Sequence, residues 1–229
     1  VISRWDTLEK VPIYGPAIYP VFSILDPEYT YTVPRSQTVY GNIDIIIHAL
    51  EQYFTHTPET PVLDYLTEGL VKTMVENTYR VLKDPCDYDA RANIMFSGTV
   101  ANNHWIGVGK VHDWASHKIE HELSALYDIS HGAGLAVIYP NWMKYAMEKD
   151  PSRFVQFAEK VWDIDPAGKT DREIAMAGAD KKREFFNSIG APATLADLHI
   201  DPEKIPYMAQ QAVRFGPLGG YRILNKEDV

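Results

Sequence analysis

A single cysteine, Cys86, stands in 229 residues. No disulfide can close within the chain, and a reducing, cytoplasmic setting is expected. Positive charge is also in short supply: 22 Lys+Arg face 31 Asp+Glu, a formal charge of −9. The longest basic run is Lys181-Lys182-Arg183. Nucleic-acid backbones are held chiefly by clustered Lys and Arg, so that class of partner is excluded. No apolar run approaches the ~18–20 residues of a membrane span. The opening Val1-Ile2-Ser3-Arg4-Trp5-Asp6 lacks the apolar stretch of a signal peptide. There is no internal repeat, no low-complexity linker and no glycine-rich dinucleotide fingerprint. Gly132 and Gly134 come without a preceding strand and at the wrong spacing for one. Close helix packing, or room for a ligand beside His131, explains them better.

Hydrophobic residues make up 45% and charged residues 23%, the balance of a soluble globular domain. The length suits one large domain, or one domain plus a piece of another. Position 1 is not Met, and Asn225–Val229 has the composition of a helix start with nothing to complete it. Both ends therefore suggest a chain cut from a longer one. Strand character is confined to residues 1–34, in the opening Val1-Ile2-Ser3, in Val11–Tyr14 and in Ala17–Leu25, punctuated by Pro12, Gly15, Pro16, Pro20 and Pro27. This strip is expected to belong to another sheet.

After Pro34 the period becomes helical, and about eight helices are expected. Ile43, Ile46, Ile47, Leu50, Tyr53 and Phe54 mark one buried face; Val62, Leu66, Leu70, Met74 and Leu82 mark a second, stopped near Pro85. A third helix is predicted from Tyr88 to Ile106. A fourth is capped by Asp113 and ends near Asp128, and a fifth follows His131 and bends or breaks at Pro140. Arg153–Trp162 is a sixth. Thr170-Asp171-Arg172-Glu173 is a capping box opening a helix that stops at Gly190. Glu203–Phe215 is the last complete helix. The scattered Trp and Tyr residues read as core.

Eight histidines are present, and some of them form a pattern. Asp44 and His48 are i, i+4 on one helix, so their side chains rise from one face. His117 and His121 repeat the spacing on another helix, and His131 follows ten residues later at a loop-to-helix junction. Two such pairs and a nearby histidine can supply a divalent metal site from several helices, and imidazole with carboxylate suits Zn²⁺ or Fe²⁺. Asp44 lies among Ile43, Ile45, Ile46 and Ile47. It must occupy the one polar side of its helix or be buried with a partner, since an unpaired buried charge is costly.

The remaining candidates carry less. His56 is read as a donor near the last carbonyls of a helix, His104 as structural and His199 as a surface residue. His112 lies close to the candidate site with no assigned role. Cys86 lacks an activating base.

The stretch Gly41-Asn42-Ile43-Asp44-Ile45-Ile46-Ile47-His48, followed by Glu51-Gln52-Tyr53, resembles the first metal-ligand helix of the iron-containing (group III) alcohol dehydrogenases. The run from Asp113 to Gly134, with His117, His121 and His131, resembles the second half of that site. The likeness is strongest to the butanol dehydrogenase and broad aldehyde reductase branch. Leu25-Asp26-Pro27 and Phe154–Trp162 also fit.

The resemblance implies a mainly α fold: the all-helical C-terminal domain of a dehydroquinate-synthase-like dehydrogenase. Residues 35–229 would be this metal-binding catalytic domain, truncated at its C-terminus. Residues 1–34 would be the last strands of an N-terminal α/β domain that binds NAD or NADP. It further implies Asp44, His48, His117 and His131 as ligands of Fe²⁺ or Zn²⁺, with His121 near the nicotinamide and substrate. Lys10 and Tyr29 match positions that approach the cofactor. The implied reaction moves a hydride between a primary, butanol-like alcohol and the nicotinamide, with His121 relaying the hydroxyl proton. A homodimer is expected of the full-length protein.

Three other readings compete. A polyol dehydrogenase of the same fold, acting for example on glycerol, is the nearest. A metal-dependent hydrolase would use helical His and Asp ligands, but the only adjacent His-Asp pair, His112-Asp113, stands at a helix start. A non-catalytic helical module would hold its histidines for structure alone.

Overall fold

The computed structural model describes residues 1–13 and 15–229. Its β-structure is a small antiparallel hairpin, β1 (Ile2–Arg4) and β2 (Glu9–Val11), with Ser3 opposite Lys10. The opening residues are thus extended, as expected. Of the second predicted strand only Val11 pairs, and Tyr14 lies outside the described residues. Ala17–Leu25 is not a strand. A 3₁₀ turn takes Pro16–Ile18 and irregular chain follows. The prolines remove ladder donors, and Val21, Phe22 and Ile24 stand exposed with no strand beside them.

The rest is helical, with eight α-helices among the described residues. They are α1 (Arg35–Tyr53), α2 (Pro61–Lys83), α3 (Tyr88–Asn102), α4 (Ala115–Tyr127), α5 (His131–Ala146), α6 (Ser152–Trp162), α7 (Asp171–Ser188) and α8 (Ile205–Ala212). Helix α1 forms the centre. Its apolar stripe of Ile43, Ile46, Ile47, Leu50 and Tyr53 is buried against α2, α3 and α5. Just past its end, Phe54 stacks on Phe154 of α6 at 4.3 Å and meets Trp142 of α5 edge-on. Helix α4 packs on α5 and α8 and takes β2 along its flank, while α6 and α7 pair tightly.

Several local expectations need correction. Helix α3 stops at Asn102 rather than Ile106, because His104 turns left-handed (φ 62°) and a 3₁₀ turn holds Trp105–Gly107. The N-cap of α4 is Trp114. Asp113 precedes it and accepts from the Ala115, Gly220 and Tyr221 amides, so it clasps the C-terminal segment as well as the helix start. Pro140 does not break α5. Tyr139, Trp142 and Met143 are locked in the core around it, and packing outweighs the one lost backbone bond. The last helix is shorter than predicted, a 3₁₀ turn at Pro202–Lys204 preceding α8. Asn225–Asp228 closes on itself as a turn.

The capping box of α7 forms as predicted, with Thr170 and Glu173 each satisfying the other's backbone amide. The aromatic residues divide. Tyr53, Tyr139 and Trp142 are core, whereas Trp5, Trp105 and Tyr65 are exposed.

Candidate metal centre

Three helices converge on one carboxylate oxygen. Asp44 and His48 rise from the same face of α1, one turn apart. His117 comes from the first turn of α4, and His131 is the first residue of α5. Asp44 Oδ1 lies 3.6 Å from His48 Nε2, 3.5 Å from His117 Nε2 and 3.7 Å from His131 Nε2. That oxygen is buried and has no hydrogen-bond partner among the described residues, and the same is true of His117 Nε2. Orphaned buried polar atoms are rare and need a reason. Asp44, His48 and His117 bring one donor atom each within reach of a single ion, and His131 Nε2 faces the same Asp44 oxygen; one carboxylate with three imidazoles is a donor set that Zn²⁺ or Fe²⁺ accepts, so these residues fit a divalent metal. Asp44 satisfies neither extreme of the sequence expectation: its side chain is 32% exposed, yet the oxygen facing the histidines is sealed.

The electrostatics of the cluster follow from its crowding. Burial opposes ionisation of Asp44, but the imidazoles of His117, His48 and His131 outweigh it and bring the carboxyl to about 2. Burial and the neighbouring His117 push His48 down to about 4. Burial also disfavours charge on His117, yet contacts with Asp44 and Glu51 win and raise it to about 9. The cluster thus keeps its carboxylate ionised and concentrates a proton on His117, between two carboxylates.

Two carboxylates to which the sequence analysis gave no role lie behind the histidines. Glu51 and Glu120 are both 0% exposed. Glu51 Oε1 pairs with His117 Nδ1 at 2.9 Å, and Glu120 pairs with His131 Nδ1. The available signal was helical spacing. Glu51 follows Asp44 by seven residues and Glu120 follows His117 by three, so each lies on its ligand's face.

His121 is buried on the same side of α4, its ring 5.3 Å from that of His131. It lines a surface cleft with Lys10, Lys118, Glu122, Arg214 and Phe215. Burial, then the charges of His131 and Lys10, bring it to about 2, so it is a neutral ring. Lys10 on β2 reaches inward to Glu120 Oε2 at 3.7 Å. Tyr29 is 83% exposed, on a 3₁₀ turn packed against α3 rather than beside the histidines.

The other histidines act locally. His56 donates from Nε2 to the Tyr221 carbonyl at 2.8 Å and stacks on that ring; its partner is therefore the C-terminal segment rather than the end of α1. His104 stacks on His112, and His112 contacts the Gly107 carbonyl at 2.8 Å. His199 is exposed, as expected, and Cys86 is an exposed free thiol. The two glycines serve packing. A Cβ on Gly132 would lie 2.0 Å from the Tyr40 carbonyl oxygen, and one on Gly134 would lie 2.6 Å from Glu120 Oε1.

Comparison with known proteins places the chain in a family. The model of the Fe-containing alcohol dehydrogenase family, C-terminal part, matches residues 38–229. A probable NADH-dependent butanol dehydrogenase 1 of Bacillus subtilis is 44% identical over all 229 residues, which make up 59% of its own length. The NADPH-dependent aldehyde reductase YqhD of Escherichia coli is 36% identical over 216 residues, covering 94% of this chain and 55% of the relative. Among solved structures, the NADH-dependent butanol dehydrogenase A of Thermotoga maritima superposes with a TM-score of 0.92 at 37% identity, over 99% of this chain and 58% of that one. The chain thus spans somewhat under three fifths of the length of these relatives, and by its family match over residues 38–229 it belongs to the iron-containing alcohol dehydrogenases.

Proposed function

We propose that this chain is the metal-holding part of an NAD(P)-linked alcohol dehydrogenase or aldehyde reductase acting on a primary, butanol-like alcohol or its aldehyde. The observation that carries the proposal is the sealed Asp44 oxygen within 3.5–3.7 Å of three imidazole nitrogens from three helices. Asp44, His48, His117 and His131 would hold Fe²⁺ or Zn²⁺. When bound, such an ion supplies Lewis acidity toward the oxygen of an alcohol or carbonyl.

Everything else falls to the chain's own residues. His121, neutral and set between His131 and the cleft, is placed to pass the hydroxyl proton outward by accepting at one ring nitrogen and giving at the other. Lys10 lines the same cleft, where a cationic side chain suits an anionic or polar part of the nicotinamide cofactor. Tyr29 stands exposed on its 3₁₀ turn beside α3 and does not line this cleft; in this reading it would meet the cofactor away from the histidines. The division into residues 1–34, as the last strands of a cofactor-binding domain, and 35–229, as the helical metal-binding domain, belongs to the same proposal, as does a homodimer. The exposed apolar run Val21-Phe22-Ile24 supports it, since such residues favour burial against further protein. The names of the relatives include both NADH- and NADPH-dependent enzymes, so either cofactor is compatible.

Elemental analysis of the purified full-length protein, wild type beside the Asp44→Ala/His131→Ala double variant, tests the reading. About one equivalent of iron or zinc in the wild type, lost in the variant, is expected, together with aldehyde reduction by NADH or NADPH. Absence of metal from both, even after anaerobic addition of Fe²⁺ or Zn²⁺, would overturn it.

A further inference from the structure

We propose that Glu51 and Glu120 are the positioning residues of the metal centre, each carboxylate fixing one ligand histidine supplied by the next helix in the chain order of the site. The inference rests on the metal-centre reading above and extends it to residues outside the ligand set.

An imidazole offers Nε2 to a metal only when its proton sits on Nδ1, and an acceptor at Nδ1 selects both that tautomer and the ring's orientation. Glu51 provides this acceptor for His117 at 2.9 Å. The same carboxylate takes the Ser116 hydroxyl at 2.5 Å and the Trp114 amide at 2.8 Å. It therefore anchors the whole left-handed entry into α4, where Trp114 has a φ of 63°. Glu120 repeats the arrangement one helix further on. It accepts from His131 Nδ1 and the Ser124 hydroxyl, with the Lys10 ammonium 3.7 Å away.

The result is a relay. Helix α1 contributes Asp44 and His48 and, through Glu51, orients His117 on α4; α4 then orients His131 on α5 through Glu120. A fully buried carboxylate is costly unless its oxygens are satisfied. At Glu51 the donors come from His117, Ser116 and Trp114, and at Glu120 from His131 and Ser124, with the Lys10 ammonium nearby. The fold also reserves space for Glu120, since any side chain at Gly134 would collide with its carboxylate. Glu120, His121 and His131 lie close enough to suggest a second cation site. The nearby Lys10 ammonium opposes a further cation there, which leaves orientation of His131 as the use of Glu120.

The test uses the full-length protein loaded with Zn²⁺, or with Co²⁺ as a coloured substitute, in wild-type, Glu120→Ala, Glu120→Gln and Glu51→Gln forms. Metal release to a chelator and the visible spectrum of the cobalt form are measured. Release about 10–100-fold faster in Glu120→Ala is expected, with an altered cobalt spectrum. Glu120→Gln should fall between, because its amide oxygen still accepts from Nδ1. Glu51→Gln replaces Glu51→Ala because it keeps an acceptor for the Trp114 amide and should remain folded. It should also release metal faster than wild type. Wild-type release rates and an unchanged cobalt spectrum in all three variants would overturn the inference while leaving the metal centre standing. A wild-type protein that takes up no metal would overturn both.

Discussion

His117 and His121 stand one turn apart on α4 and share a residue type, yet their surroundings assign them different work. His117 Nε2 faces Asp44 and its Nδ1 is tied to Glu51; His121 faces the cleft shared with Lys10. In the full-length protein, His117→Ala should therefore lose the metal. His121→Ala should keep nearly all of it and slow turnover by about 10²–10⁴-fold, the range of a lost proton-transfer group. Metal content by elemental analysis, set beside steady-state aldehyde reduction, separates the two. Equal metal loss in both variants would make His121 a ligand instead. Neither identity nor spacing could make this distinction, because both histidines satisfy the same helical period.

At the scale of elements, the helices around the centre are tied by a buried ionic cluster. Asp64 on α2 accepts from Lys110 at 2.8 Å and from both terminal nitrogens of Arg153 on α6. Arg153 also donates to the Tyr53 carbonyl at the end of α1. The Lys110 and Asp64 side chains are 0% and 6% exposed. Asp64→Ala would leave two cations without their partner in the interior, a loss of about 3–5 kcal/mol at pH 7, readable by urea unfolding. Burial works against ionisation of Asp64, but the hydrogen bonds from Arg153 and Lys110 outweigh it and hold its carboxyl below 3.8. A group with a depressed folded value contributes its stability above the unfolded value and loses it as pH falls through the folded one. The gap between wild type and variant should accordingly stay constant from pH 7 to about 5 and shrink below 3.8. A gap that persisted unchanged at pH 2 would rule out the ionic account.

For the molecule as a whole, the four proposed ligands come from α1, α4 and α5, whose mutual positions exist only in the folded chain. An ion bound there must stabilise folding by mass action. At a free concentration 100-fold above its Kd the gain is about 2.7 kcal/mol. Zn²⁺ should raise the wild-type Tm, a chelator should reverse the rise, and Asp44→Ala/His131→Ala should show neither effect. An equal rise in the double variant would place the binding elsewhere.

The sequence by itself determined much of this protein. It contains no apolar run long enough for a helix to cross a membrane, and no basic run longer than Lys181-Lys182-Arg183. Its periodicity located the helices, and i, i+4 spacing put Asp44 beside His48, because a helix fixes neighbours within one turn without help from the rest of the chain. Contacts between helices were decided only by tertiary structure. That Asp44 meets His117 and His131 depends on how closely α1, α4 and α5 approach, which Gly132 against the Tyr40 carbonyl permits. Helical spacing put Glu51 and Glu120 on the faces that carry Asp44 and His117, but their partners are imidazoles on other helices, and only the fold brings those within reach. The same reason explains the local errors. Pro140 stays helical because the core around it outweighs one lost hydrogen bond. Ala17–Leu25 stays irregular because a strand needs a partner, and propensity within a segment cannot supply one.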